Sequence, residues 1–493
     1  MQNWKSIISL IGFCVVAAPV LAEPQEQPFD GEFMSAEDVK ADFTKLYSGL
    51  QSGHYDLYIH EPKSAYDALF RQLNTRITES MPRSEALLLF QEFTAFGRIS
   101  HASIDITDVI RKRYRSADER IFPIIPSIVD GRFFVKENQS SQTAIKPGDE
   151  IISLNGRPMA AWLERLESLI SGDTAALRLA QLEAGFSYWL LLHNDYTADM
   201  QVQVIHASGD QETYLISALN DAERLANQPE STNQFELPIH ERTARMLDDQ
   251  IAYLRPGPFY NFENPDQLYD PKGFVTFIDG AFGTFVEAGA NALILDMRNN
   301  PGGSNTLSDP MVAWFADEPF KFASSFRVKS SPEAQASNQA RLDSNPDADD
   351  TVSTRYAQLY SETPYGEVFE YDIPLVKPRS GTKFEGRVFA LVDRQSYSQA
   401  VNVAATLQDY GFGIVLGEDT TDFATTIASV ETFRLPISNA EVRFPKALII
   451  RPSGDDTPGP VTPDVPIERP IEATESDVVL QRAVSHIKND LAG

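Results

Sequence analysis

Residues 292–303 read Ala-Leu-Ile-Leu-Asp-Met-Arg-Asn-Asn-Pro-Gly-Gly, an apolar run that stops in a polar turn with two adjacent glycines. An apolar run bounded by turn formers predicts a buried strand, and the glycines allow backbone N–H groups to face a ligand. Residues 387–420 repeat the pattern. Arg-Val-Phe-Ala-Leu-Val predicts a strand, Asp-Arg-Gln-Ser-Tyr-Ser a turn, and the segment Gln399–Tyr410, rich in small residues, a helix. Serines at the mouth of that helix, beside glycine N–H groups on another strand end, would set a nucleophile next to an anion cradle. Those are the parts of an acyl-transfer site.

Outward from these two stretches, strands and helices alternate. Ala252–Pro256 predicts a strand and Phe274–Ala288 a helix. Residues 330–363, rich in Ser, Asp, Asn and Ala, predict a partly helical surface excursion. The core resumes at Phe384 and runs to about Ile467, and Asp477–Ala492 has the spacing of an amphipathic helix. The alternation predicts an α/β core. Upstream, residues 35–96 show helical spacing, with Phe43, Leu46 and Leu50 on one face, Leu69 and Leu73 on another, and the apolar run 87–90 in a more buried helix. Ala102–Ile110 alternates like a strand. From about Phe122 the pattern changes to short strands, Ile124–Val129 and Phe133–Val135, joined by Asp130-Gly131 as a hairpin turn.

Residues 145–156, Ile-Lys-Pro-Gly-Asp-Glu-Ile-Ile-Ser-Leu-Asn-Gly, break the chain, extend it and turn it again. This motif resembles the signature of PDZ domains, and the resemblance covers roughly residues 120–217. It implies a groove that takes an extended peptide onto a sheet edge, with Gly148, Asp149 and Ile151 as peptide-binding residues. The competing reading is a β-hairpin with two good turns.

At the N-terminus, Lys5, the apolar stretch Ile7–Ala18 and Val20-Leu21-Ala22 form a secretory signal pattern with cleavage expected after Ala22. The competing reading, a membrane anchor, fits less well because the stretch is short and acidic residues follow it. Cys14, the one cysteine of the chain, lies inside this segment, and Phe13 before it is too large for a lipoprotein site. The mature chain then holds neither a disulfide nor a thiol nucleophile. Export to a bacterial periplasm or beyond is the expectation. A net charge of −28 argues against a nucleic-acid partner, since phosphate would be repelled. The chain of 493 residues is long enough for several domains. The expected organisation is a signal peptide (1–22), a helical domain (23–118), a PDZ-like β domain (119–217), a linker (218–244), an α/β core (245–470) and a terminal helix (471–493).

The core resembles the catalytic domain of the S41 peptidases, the tail-specific or carboxy-terminal processing proteases. The landmarks are residues 295–303, Val392-Asp393-Arg394, Ser398, Gln408-Asp409-Tyr410-Gly411, Gly417-Glu418, Leu435-Pro436 with Ser438, and Gly459-Pro460-Val461-Thr462-Pro463-Asp464, all in family order. The resemblance implies a crotonase-like α/β core and a serine-type peptidase acting on peptides or unfolded proteins. It implies no metal or cofactor, and no metal-ligand or phosphate-loop motif emerges from the sequence. In this family the nucleophile falls four residues after the arginine matched by Arg394 and eleven before the aspartate matched by Asp409, so the resemblance implies Ser398 as nucleophile; from the residues alone the reading of Ser398 is a helix N-cap.

The lysine of the family's Ser-Lys branch would fall at residue 423, which is Phe423, and Thr420–Thr426 contains no lysine. The tricorn-like branch instead places a histidine in an Asp-(Gly/Ser)-His motif. Here Ser100 and His101 match that motif, while Ile99 stands where the aspartate is usual. His101 is therefore the expected base and Ser100 a further hydrogen-bonding partner; the competing reading of His101 is a structural histidine. The same branch places a glutamate three residues before the glycine of its Gly-x-x-x-Pro-Asp segment; that position is Asp456, one methylene shorter but of the same charge, with Asp455 in the neighbouring register, and the competing reading of both is a pair of solvated turn residues. Gly302, Gly303 and Gln399 are the expected oxyanion donors. The rival functional reading is an S41-like peptide-binding protein that has lost its active site.

Overall fold

The structure is a computed structural model that describes residues 33–227, 237–344 and 350–492. The expected signal segment, residues 1–22, and residues 228–236 of the expected linker lie outside these.

Three helices open the described chain: α1 (Ala36–Gly53), α2 (Lys63–Arg76) and α3 (Arg83–Ala95). Ser35 caps α1 by accepting the Asp38 N–H at 3.1 Å. The apolar stripes meet as the periodicity predicts, with Phe43, Leu46, Leu50, Leu73 and Phe90 fully buried. This helical layer is stitched to the far end of the chain. Asp42 of α1 accepts the N–H groups of Ile437 and Ser438 at 3.0 and 2.7 Å.

The expected strand over Ala102–Ile110 shrinks to β1 (Ser103–Ile104), and the rest is helix α4 (Thr107–Ser116). The Asp105 carboxylate accepts the Thr107 N–H at 3.0 Å and turns the chain. Val109, Ile110 and Tyr114 then bury at helical spacing.

The next unit is a β-sheet with two helices. Its strands are β2 (Ile124–Val129), β3 (Arg132–Asn138) and β4 (Glu150–Leu154). The helices α5 (Met159–Glu167) and α6 (Ala175–Leu191) follow, then β5 (Asp199–Ile205) and β6 (Gln211–Ser217). The strands pair antiparallel in the order β2-β3-β4-β5-β6.

The core then runs through β7 (Thr243–Met246), β8 (Ile251–Arg255), α7 (Lys272–Glu287), β9 (Ala292–Asp296), α8 (Asn305–Val312), β10 (Ser325–Lys329), α9 (Pro332–Ser344), α10 (Thr351–Glu362) and β11 (Val368–Glu370). It continues through β12 (Arg387–Val392), α11 (Gln399–Tyr410), β13 (Ile414–Gly417), β14 (Thr426–Arg434), β15 (Glu441–Ile450), β16 (Val465–Pro466) and α12 (Val478–Ala492).

The main sheet has the order β7-β8-β9-β12-β13-β16 and is parallel except for the β7–β8 hairpin. Alternate residues of β9 feed two cores. Leu293 and Leu295 pack with α7, α8 and α11, whereas Ala292 and Ile294 pack with α12. A second sheet, β11-β10-β15-β14, is antiparallel, and β1 adds to β15 by pairing Ser103 with Arg443 and Ile104 with Val442. Residues 292–303 and 387–420 are therefore neighbours: β9 and β12 pair along their length, from Ala292–Arg387 to Asp296–Leu391. Their exit loops lie side by side at the carboxyl edge of the parallel strands, where open α/β sheets build their sites.

Candidate active site

The β12 exit turn is stapled to the β9 exit turn by four bonds. Met297 N–H donates to Leu391 O at 2.9 Å, and Tyr397 N–H to Asn300 O at 2.9 Å. Asn299 N–H reaches the Asp393 carboxylate at 3.0 Å, and Ser396 Oγ donates to Met297 O at 2.8 Å. Ser396 is thus consumed as a buried staple. Ser398 is different. Its backbone sits at φ 52°, ψ −118°, a sparsely populated region for a residue with a side chain. It occupies the N-cap position of α11, yet its side chain makes no capping bond. The strained turn aims Oγ away from the helix, and Oγ lies 3.5 Å from His101 Nε2. That is a long contact, of the kind that tightens when substrate excludes water.

His101 stands between α3 and β1, so the pairing of β1 with β15 carries it to the core. Its ring is 6% exposed and stacks on Tyr397, with centroids 5.1 Å apart. The Tyr397 hydroxyl donates to Ser100 O at 3.1 Å. His101 Nδ1 faces Ser100 Oγ at 2.9 Å. Burial pushes the imidazole down to about 4, against a smaller opposing pull from Asp173. The ring is neutral at physiological pH. With the proton on Nδ1, shared with Ser100 Oγ, Nε2 presents a lone pair to Ser398. Ile99, in the place of the usual aspartate, is 1% exposed and packs as an apolar residue.

The acid expected at Asp456 is not where the geometry needs one. Asp456 is exposed on the turn after β15, and among the described residues no hydrogen bond joins it to His101. Asp455 serves its own turn, its carboxylate accepting the Thr457 N–H at 3.0 Å. The carboxylate at the site is Asp422, fully buried on the β13–β14 loop. Its Oδ2 accepts the Ser398 N–H at 2.8 Å, and its Oδ1 accepts the Ser100 hydroxyl at 3.4 Å. Burial pushes its carboxyl up to about 7, and the charge of Asp173 adds to this; N–H bonds from Ser398 and Phe423 and the Ser100 hydroxyl oppose the rise. The signal was in the sequence. Asp422 is the acid inside Thr420–Thr426, beside Phe423 at the position of the Ser-Lys branch's lysine.

Of the expected oxyanion donors, Gly302 is taken, its N–H bonding Asn300 Oδ1 at 2.9 Å. The N–H groups of Gly303 and Gln399 have no acceptor among the described residues. Both glycines are required by close approach. A Cβ on Gly302 (φ 84°) would lie 2.8 Å from Ser398 Cβ and 2.7 Å from Gln399 N, and one on Gly303 (φ 138°) 2.2 Å from Phe259 O. Phe259 and Gly303 pair in a parallel bridge, in which Phe259 binds the residues on either side of Gly303 and leaves the Gly303 N–H facing away. Two free N–H groups flanking a hydroxyl, with a neutral imidazole beside it, can deprotonate that hydroxyl and hold an oxyanion.

Of the three residues expected to bind peptide, two lie inside the fold and Gly148 is half-buried. Asp149 and Ile151 are 2% and 1% exposed. Asp149 instead accepts the Lys146 N–H at 2.7 Å and pairs with His206 Nδ1 at 2.8 Å, closing its own turn. Gly148 continues that turn, its N–H bonding Val135 O at 2.8 Å. On the edge strand β2, both backbone groups of Ile128 are engaged. Its N–H donates to Glu183 at 2.7 Å, and its carbonyl accepts Arg394 Nη1 at 3.2 Å.

Residues 269–467 match the family model described as peptidase family S41. Among solved structures, mature CPAF complexed with lactacystin superposes with a TM-score of 0.60 at 15% identity, covering 92% of this chain and 97% of that one. Mature CPAF itself gives a TM-score of 0.59 at 15% identity, covering 92% and 96%. At such identity the likeness is one of fold. No curated protein sequence matches the chain.

Proposed function

We propose that the chain, whose residues 269–467 match the model of peptidase family S41, is a serine peptidase that cuts peptides or unfolded proteins through an acyl-enzyme. The observation that carries this reading is the contact of Ser398 Oγ with the buried His101 at 3.5 Å, on a strained turn that gives Ser398 no capping role.

In this reading Ser398 Oγ attacks the scissile carbonyl while His101 Nε2 takes the hydroxyl proton. The oxyanion settles on the N–H groups of Gly303 and Gln399. His101 then gives its proton to the departing amine, and water repeats the sequence to release the acid. Asp422 acts through Ser100. Its carboxylate orients the Ser100 hydroxyl, whose oxygen accepts the His101 Nδ1 proton, and its charge favours the imidazolium formed during attack. The same carboxylate ties up the Ser398 N–H, so the cradle uses the Gln399 N–H on the other side of the nucleophile. The N-terminal signal pattern supports export before the enzyme acts.

Labelling of the purified chain with a fluorophosphonate, followed by peptide mapping, tests the reading. The expected result is one modified residue, Ser398, with labelling lost in Ser398→Ala. Absence of labelling together with no cleavage of an unfolded protein would reject it. N-terminal sequencing of the protein recovered outside the cytoplasm tests cleavage after Ala22.

A further inference from the structure

Asp173 and Thr174 lie on the loop between α5 and α6 of the β unit inserted ahead of the core, and neither touches a reacting atom. We propose that these two residues position the catalytic groups: together they fix the peptides of Ser100 and Thr421 so that His101 and Asp422 converge on Ser398.

The Asp173 side chain is 8% exposed. Its Oδ2 accepts the Ser100 N–H at 2.9 Å, and its Oδ1 pairs with His60 Nε2 at 3.0 Å. The carbonyl of the same Ser100 accepts the Tyr397 hydroxyl at 3.1 Å. The residue next to His101 is therefore gripped at its N–H by the inserted unit and at its C=O by the residue before the nucleophile. Thr174 does the matching task on the acid side. Its Oγ1 accepts the Leu177 N–H at 2.9 Å, capping α6, and donates its proton to Thr421 O at 3.0 Å. Thr421 precedes Asp422, and its own hydroxyl donates to Arg394 O at 2.7 Å, at the start of the nucleophile turn. Two consecutive residues thus bridge the histidine arm and the acid arm, which are more than three hundred positions apart in the chain.

A carboxylate suits the first of these positions. It makes a charge-assisted bond to a backbone N–H, stronger than a neutral acceptor would give. The separation of 3.5 Å between His101 and Ser398 leaves little room for drift. A misplacement of about 1 Å costs on the order of a hundredfold in rate. The inserted unit is then a structural part of the catalytic centre, whatever its surface binds.

This inference rests on the peptidase reading, and its test separates the two. In the full chain, Asp173→Ala should lower kcat by about tenfold to a hundredfold with KM changed less than about threefold, and slow fluorophosphonate labelling in step. Hydrogen exchange of the Ser100 amide should speed up by about tenfold or more as its acceptor is lost. Asp173→Asn keeps an acceptor for that amide and should restore most of the rate. Thr174→Val should lower kcat with KM little changed, and Thr174→Ser should restore it; this pair carries the test if Asp173→Ala does not fold. A kcat for Asp173→Ala and Thr174→Val within about twofold of wild type overturns the inference, as does unchanged Ser100 exchange in Asp173→Ala. If wild type neither cleaves nor labels, the peptidase reading fails, and Ser100 exchange still decides whether Asp173 holds the histidine arm.

Discussion

The carboxylate of Asp422 accepts the backbone N–H of Ser398 at 2.8 Å, while its other oxygen accepts the Ser100 hydroxyl at 3.4 Å. One buried side chain thereby fixes the strained Ser398 peptide and the partner of His101 at once. A carboxylate with no basic residue bonded to it survives such burial only through the hydrogen bonds donated to it.

Asp422→Ala should therefore lower kcat/KM by roughly a hundredfold or more, the scale on which loss of a triad acid acts. Asp456→Ala should stay within about twofold of wild type, since an exposed turn residue with no bond to the histidine has nothing to remove. Steady-state kinetics on the two purified variants decides between the acids.

The serines of the nucleophile turn should separate in the same way. Ser398→Ala should abolish turnover and leave the fold intact. Ser396→Ala should keep the nucleophile but lose the bond to Met297 O, at a cost of about 1–2 kcal/mol of stability. The positive φ of Ser398 adds a further expectation. Ser398→Gly should unfold later than Ser398→Ala by about 1 kcal/mol, because glycine meets no Cβ penalty there. Thermal melts of the three variants check the order.

Much of this architecture was legible because the signals were local. The apolar runs of β9 and β12, the glycine pair and the helix after Ser398 follow from patterning and turn chemistry. Ser398 and His101 were reachable through motif spacing, and the structure brings their side chains together. What was not legible depends on three-dimensional pairing. Ala102–Ile110 alternates, but the Asp105 turn competes with strand extension after two residues. Gly148, Asp149 and Ile151 look like binding residues in a motif, yet burial turns Asp149 and Ile151 inward. Counting back from Gly459 leads to the exposed Asp456, whereas the carboxylate that reaches Ser398 and Ser100 is Asp422 on the β13–β14 loop, a contact that only the folded chain creates.

The pH dependence follows from the two buried groups. With an unperturbed histidine as base, the acid limb of kcat/KM would fall between about 6 and 8. Burial instead holds His101 down to about 4, so its neutral form persists well below that range. The limb near neutrality passes to Asp422, raised to about 7 by burial and by Asp173, because only its ionised form accepts from both Ser398 and Ser100. Activity should rise with pH through about 7 in wild type. In Asp422→Asn the remaining activity should rise through about 4 and then stay flat. A limb near 7 that survives in Asp422→Asn assigns it to another group.

The same carboxyl ties activity to stability. Its folded value of about 7 lies above the ordinary 3.8, so between these values the folded chain holds a proton that the unfolded chain releases. The stabilisation from that proton is complete below the unfolded value and is lost as pH rises through the folded one. Each pH unit inside the window costs about 1.4 kcal/mol, or up to about 4 kcal/mol once the window is crossed. Asp422→Asn has no such titration. Urea unfolding of both proteins at pH 5 and pH 8 should show the variant gaining on wild type by roughly 3 kcal/mol across that interval. A gap that does not widen would mean that Asp422 is ionised at both pH values, and the limb near neutrality would then also lose its assignment.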